Sequence, residues 1–511
     1  MIWRVARKEI SIHVLGLNFL LLLIMCQLLI PISIYIMASG YEKRMMNYIS
    51  DQRNLANHLR YISNSALLSG MPRRYWLPES NLLDNLWIQR KPEVLSILVE
   101  GIDRRIGRFV RVNHKLVPYS ASHYALSWEK KIGRHEDIIY RSFQPMDLAV
   151  VLQLILSLFS ILIFHNAICG EKEAGTLKLL ASNGVPRSHI VLGKYIGAIS
   201  TMLIPFLISF LAGILVLYTV LGIGALGADE LLRILLMMVI SILYISVFAL
   251  LGIMISGMTT KSSTSLMISL FIWAILVVVW PNISGFGMRN LFRITGEQID
   301  DQVSKEIDHL KKRYRHDLQS CSSRIVMDEE VRSSLWEDAD PDSSGSMAGL
   351  EEDVLLNFLG KIRLFYLEAE RIGMRYGDET WEIRRKYLER PYRIIRLAWR
   401  VFAISPAGAY YELMSILART DFGSYIRFLD QAKEYRKTLQ RWVIDESVSS
   451  TRWFTCIFGM ADPDRIPRFV QKDEGILKDL ARGSGDMILL IAINAILIMG
   501  SYIRFLKYDL R

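Results

Sequence analysis

No phosphate-binding loop of the form G-x-x-x-x-G-K-[ST] occurs anywhere in the sequence, so the chain is not expected to bind ATP itself. Neither H-E-x-x-H nor G-x-S-x-G occurs, which removes the commonest zinc-peptidase and serine-hydrolase signatures. Nine histidines are scattered, and His135 alone stands beside a cluster of acids, Glu136-Asp137, where a solvated loop is the plainer reading. His165 reads more simply as a half-buried histidine bonded to backbone than as a pH sensor. The four cysteines form no metal pattern, and Cys321 and Cys456 are bonded or free according to the compartment they face. A net charge of +10 comes without any sustained Lys/Arg tract. Attraction to a membrane surface explains that excess better than nucleic acid does.

Half of the 511 residues are hydrophobic while 22% are charged, a blend that fits membrane spans joined to sizeable soluble parts. Residues 1–13, with Arg4, Arg7 and Lys8, read as an interfacial helix on the cytoplasmic side. Apolar runs predict spans at 14–38, 147–168, 195–221, 234–257, 263–281 and 487–503. The first run is too long for a signal-peptide core and reads as an uncleaved anchor. Pro205 predicts a kink in the third span, and Pro281 is expected to close the fifth. The apolar centres of all six carry no Asp, Glu, Lys or Arg, which argues against an ion-coupled carrier, although sodium sites built from carbonyls stay open. Both termini fall in the cytoplasm, with the tail 504–511 basic. The chain thus reads as an all-α polytopic protein of the inner membrane with two extracytoplasmic inserts.

The insert at 39–146 is expected to be small and mixed α/β, with a helix from about Tyr48 to Leu68 and short strands at Val94–Val99 and Phe109–Val112. The insert at 282–486 is expected to be mainly helical, with exposed antiparallel helices over Gln298–Leu318 and Leu350–Tyr376. Between them, Asp340–Ser346 forms a loop tip. Residues 394–417 are more apolar, and Ser405-Pro406 is a helix start.

A charged segment, CGEKEAGTLKLLASNGVPRSHIVLGK at 169–194, lies between the second and third spans. Glu171–Ala181 predicts one helix, roughly 16 Å long, with Ala174, Leu177 and Ala181 on one face. Ser182-Asn183-Gly184 then stops it and Val185-Pro186 turns the chain. A partner gripping this helix would move both attached spans.

The run GEKEAGTLKLL, then SN, then PRSHIVLGKYIG, resembles the first cytoplasmic loop of type-2 ABC export permeases. It is most similar to permeases of nitrous-oxide-reductase maturation. Where that family often carries an acid, this chain has Asn166. SPAGAYYELMSILART and the tail FLKYDLR resemble further family segments. The first of these precedes the return to the membrane in the family, and the core of the soluble insert is an equal reading here.

The resemblance implies a coupling helix seated in a separate ATPase subunit, which binds ATP and magnesium. It also implies a second permease subunit, identical or related. Glu171, Glu173, Thr176, Leu177, Leu180 and Arg187 would touch the ATPase, Gly175 would allow close approach, and Lys194 would anchor the third span. Gln27, Gln153, Ser157 and Ser160 are candidates to line a path, or to pack helices. Two alternatives to export stand. One is a mechanotransmitter that works through the inserts on an extracytoplasmic protein, and the other is a scaffold with no ATPase.

Overall fold

The computed structural model describes residues 2–68, 86–101, 109–112, 147–176, 186–222, 226–325, 352–448, 464 and 466–506. Six of its helices are long and apolar enough to cross a membrane: Leu17–Asn57, Leu148–Glu173, Arg187–Leu221, Ala228–Met258, Ser262–Ile283 and Ile476–Leu506. The chain is an all-α polytopic membrane protein. Helix α1 covers Ile2–Val14, and α2 (Leu17–Leu68) carries the first span onward without a break, where the sequence suggested two helices. The second span is α3 (Leu148–Phe164), started by Asp147, whose side chain accepts from the Val150 N–H. The short α4 (Cys169–Glu173) follows it. The third span is α5 (Arg187–Leu221), with Pro205 inside it, and the fourth is α6 (Ala228–Met258).

The helix of the fifth span does not end at Pro281. Helix α7 (Ser262–Trp273) passes through a π-helical turn, Ala274–Val279, into α8 (Trp280–Ile325). A proline removes one N–H from the helical ladder, and a wide turn that re-registers the bonds just before it lets the helix continue. Here the Trp280 N–H reaches back to the Ile275 carbonyl. Helix α9 (Glu352–Phe402) returns antiparallel along α8, as Arg375 bonding Asp317 (2.9 Å) and Trp280 bonding the Val401 carbonyl (3.0 Å) show. Ser405 then caps α10 (Pro406–Leu417), Asp421 caps α11 (Phe422–Arg441), and α12 (Ile476–Leu506) brings the chain back as the sixth span.

Phe109–Arg111 is a strand as expected, paired antiparallel with Trp87–Gln89. The other expected strand is not one: Val94–Ile97 forms a 3₁₀ turn. Its residues are buried consecutively rather than alternately, and the Ser96 hydroxyl and N–H both bond the Glu93 carbonyl, which holds the backbone in a turn. The Asp340–Ser346 tip, Cys456 and the His135-Glu136-Asp137 cluster lie outside the described residues. Cys321 is a buried thiol.

Among the described residues, two large hydrophobic clusters organise the molecule, and a small third one, Leu310, Cys321, Ile372 and Tyr376, joins α8 to α9. The larger joins the spans, and α6 is central to it, with 67% of its apolar window buried against 17% for Ser262–Ile283. It also takes in Ala407, Tyr410, Tyr411 and Leu413 of α10, so that segment belongs to the bundle and not to the insert core. The second cluster joins Leu55, Ile88 and Val110 to Met374, Tyr425, Phe428 and Tyr435. The two inserts therefore share one core.

Candidate functional site

At one end of the bundle, here the loop end, α4 is fastened to the ends of its neighbours. The N–H groups of Ile168 and Cys169 both donate to Ser256 Oγ of α6, at 2.9 Å each. Three charged side chains in a row then go to four different elements. Glu171 pairs with Lys194 of α5 (3.1 Å) and with Lys8 of α1 (3.5 Å). Lys172 donates to the carbonyls of Gly257 and Thr259 (2.6 and 2.9 Å), the unpaired acceptors at the end of α6. Glu173 accepts from the N–H and hydroxyl of Ser262 (3.1 and 2.7 Å), the free donors that start α7.

The expected helix over Glu171–Ala181 is interrupted at Ala174-Gly175; Thr176 is helical again, and 177–181 lie outside the described residues. Ala174 N–H returns to the Gly170 carbonyl, Gly175 N–H returns to Lys172, and Gly175 adopts a φ of +69°. This left-handed cap is a conformation glycine reaches at no steric cost. A Cβ on Gly175 would meet nothing within 4 Å. Within the chain the glycine serves this turn; the close approach expected of it concerns a separate ATPase subunit. Ala174 and Thr176 are exposed beside it. Leu177 and Leu180 lie outside the described residues.

Lys194 does more than anchor a span. It is 2% exposed and bonds Glu9 of α1 at 2.7 Å. Burial alone would raise the Glu9 carboxyl, but the His13 hydrogen bond and the Lys194 charge outweigh it and hold the group down to about 2. Helix α1 comes this close because α5 offers Gly193 and Gly197. A Cβ on either would sit 2.7 Å from a side-chain carbon, of Val5 and Glu9 respectively. Arg187 bonds the Leu506 carbonyl at the end of α12. Glu171 and Lys194 are thus paired inside the chain, Glu173 is tied to Ser262 and Arg187 to the end of α12, and Glu173, Ala174, Gly175 and Thr176 remain exposed. The sequence reading missed Glu9, Ser256 and Ser262. The Gly193-x-x-x-Gly197 spacing was the one available signal for α1.

The path candidates sit elsewhere. Gln153, Ser157 and Ser160 are buried between spans, where Trp273 donates to Ser157 Oγ (2.8 Å) and Tyr244 to the Gln153 carbonyl (3.0 Å). Gln27 stands half-buried on α2. His165 bonds the Leu162 carbonyl (3.0 Å), matching the plain reading of that residue.

The opposite, insert end holds a larger charged knot. Arg233 of α6 and Asp479 of α12 are both fully buried and paired at 2.7 Å. Arg233 also pairs with Asp229 (2.8 Å) and donates to the carbonyls of Leu417 and Glu474. Arg419 joins from the turn between α10 and α11, bonding Asp229 (2.8 Å) while held at a φ of +58°. Arg90 of the first insert donates to the Arg419 carbonyl (2.6 Å), and Thr420 donates to that of Val99 (3.1 Å). Gly101 packs so tightly there that a Cβ would lie 2.5 Å from Thr420. Helix α10 braces three spans: Tyr410 stacks on Tyr244 and bonds Ser241, Tyr411 donates to Asp147, and Leu413 meets Gly483. Burial pushes the Asp147 carboxyl up to about 7 although Val150, Glu100 and Tyr411 all donate to it. Burial, with Asp421 and Asp486 nearby, pushes Glu412 up to about 8.

The profile of a family described as ABC-2 family transporter protein matches residues 3–350, more than half of the chain. A second, a domain of unknown function (DUF3526), matches residues 367–469, which contain α10, α11 and much of α9. No curated protein matches the chain.

Proposed function

Since the chain belongs to the ABC-2 family of transporter proteins, the membrane permease subunits of ABC transporters, we propose that it couples ATP hydrolysis in a separate subunit to export across the inner membrane. The loop end, with both termini, faces the cytoplasm. The ATPase binds ATP and magnesium and grips the exposed Ala174-Gly175-Thr176 turn with the residues that follow it. Two permease subunits, identical or related, complete the assembly. Kinship with the nitrous-oxide-reductase maturation permeases rests on the loop residues and is part of this proposal.

One observation carries the reading: α4 is bonded to α1, α5, α6 and α7, while its turn is left outward. A force applied at the turn reaches four helices through charge-assisted bonds, which are shorter and stronger than neutral ones. Such a clasp lets ATPase closure bias the bundle between two states. The loop's acids then position the lever rather than meet the ATPase, which refines the contact set drawn from the sequence.

A second reading, mechanical work on an extracytoplasmic protein, is favoured by the insert end. The knot around Arg233 ties α6 and α12 to both inserts, so span movement would carry the inserts with it.

Gentle purification of the tagged chain from its own host, beside an Ala174→Arg variant, tests the coupling. The reading expects an ATPase subunit in near-equal amount with the wild type and its loss from the variant, with unchanged thermal melting of the permease. Absence of an ATPase from both preparations would leave a scaffold as the better account.

A further inference from the structure

The base of the α8–α9 projection returns to the level where the fifth span ends. The Trp280 indole bonds the Val401 carbonyl, so the last turns of α9 lie beside the end of the Ser262–Ile283 span. Exposed on these turns are Leu397 (63%), Val401 (37%) and Ile404 (59%). A spacing of four puts Leu397 and Val401 on one face of α9, and Ile404 follows in the turn just after the helix ends. The other side of the turn is packed: Phe402 and Trp399 contact each other and the bundle core. The apolar strip also lies beside an exposed apolar face of the fifth span, which includes Val279 and Ile283. Charge is as one-sided as exposure. Between Glu389 and Glu412 the sequence carries Arg390, Arg393, Arg396 and Arg400 and no acidic residue. Arg400 is exposed, and Arg393 holds the register position one turn before Leu397.

We propose that the end of α9 is embedded in the bilayer leaflet at the insert end, with Leu397, Val401 and Ile404 among the acyl chains and the arginines bound to anionic phospholipid headgroups. An apolar stripe flanked by basic residues is the composition of an interfacial helix. Arginine suits the task because its planar fork meets phosphate oxygens in pairs. Along the axis Arg393 lies about 12 Å above Val401, which spans the distance from the acyl boundary to the headgroups. The inserts would then stand on a footing in the lipid beside the fifth span, and lipid charge would set how firmly that footing holds.

The test places benzoylphenylalanine at position 397, 401 or 404 of the full chain. Each variant is reconstituted in phosphatidylcholine vesicles with or without phosphatidylglycerol and irradiated. Lys437, exposed on α11, serves as the control position. Phospholipid adducts are expected at all three positions and not at 437. Phosphatidylglycerol should be preferred, and an Arg393→Gln, Arg396→Gln, Arg400→Gln variant of unchanged melting temperature should lose roughly tenfold of that preference. Adducts to a second copy of the chain or to another protein, or no lipid adduct, would overturn the proposal. So would a preference for phosphatidylglycerol that survives loss of the arginines.

Discussion

The two ends of the bundle are both held by buried charge, but differently. At the loop end one lysine is shared by Glu9 and Glu171, and Glu171 keeps 15% of its side chain exposed. At the insert end arginines dominate: Arg233, Arg419, Arg427 and Arg482 surround an Asp479 that has no exposure at all. A lysine ammonium is a compact point charge, whereas guanidinium fixes several partners in one plane. The loop end is therefore a clasp that can slip against water, and the insert end is a weld. A lever needs both, one end free to respond and one that carries the load.

Breaking the weld is expected to have the largest effect. Arg233→Ala takes from Asp479 the one arginine partner that is as buried as itself and leaves Arg419, Arg427 and Arg482, a loss worth about 3 kcal/mol. The melting temperature in detergent should fall sharply and the inserts should become sensitive to protease. Arg233→Met with Asp479→Leu removes both charges and should recover most of the loss. A double variant as unstable as the single would contradict the weld. Lys194→Met at the clasp leaves the buried Glu9 with His13 alone and Glu171 with Lys8, and is expected to cost about 2–3 kcal/mol. Its signature is local: faster amide exchange in α1, with the inserts unaffected. Gly197→Val drives a side chain into Glu9 and Ala6, an overpacking cost of about 1–3 kcal/mol.

Acid separates the ends most finely. Glu9 has its folded pKa below the usual 4.5, at about 2. Its contribution is fully present above pH 4.5 and is lost as the pH falls toward 2. Asp147 is raised from 3.8 to about 7, so protonation favours the folded state there, and stability at that site declines as the pH rises from about 4 to 7. Amide exchange of α1 should accelerate on acidification while exchange at the start of α3 slows. Parallel pH responses at both ends would show that the two sites are not independent.

Much of this was legible in the sequence. Six uncharged apolar runs gave the spans, because length and hydropathy constrain a bilayer-crossing helix almost by themselves. Helix ends were less so. Pro281 reads as a terminator until a π-helical turn absorbs it, and Val94–Val99 is an apolar run that composition cannot divide between strand and turn. The loop was recognised, but its chemistry was read outward. Glu173 is the solvent-exposed acid it looks like in one dimension, and only the fold brings Ser262 to it and Lys194 to Glu171. The shared core of the inserts was hidden for the same reason, since Leu55 and Phe428 lie far apart in sequence.

The central claim is that the turn at Ala174–Thr176 receives a nucleotide-driven push that α4 hands to the helix ends. Hydrogen exchange on the purified complex, with and without a non-hydrolysable ATP analogue, reads this directly. The account predicts that protection changes together in residues 165–176, in α1 and at the Gly257–Ser265 junction, while the Arg233–Asp479 region moves as a unit and keeps its protection. Nucleotide binding that leaves residues 165–176 unchanged, with the ATPase still attached, would contradict it.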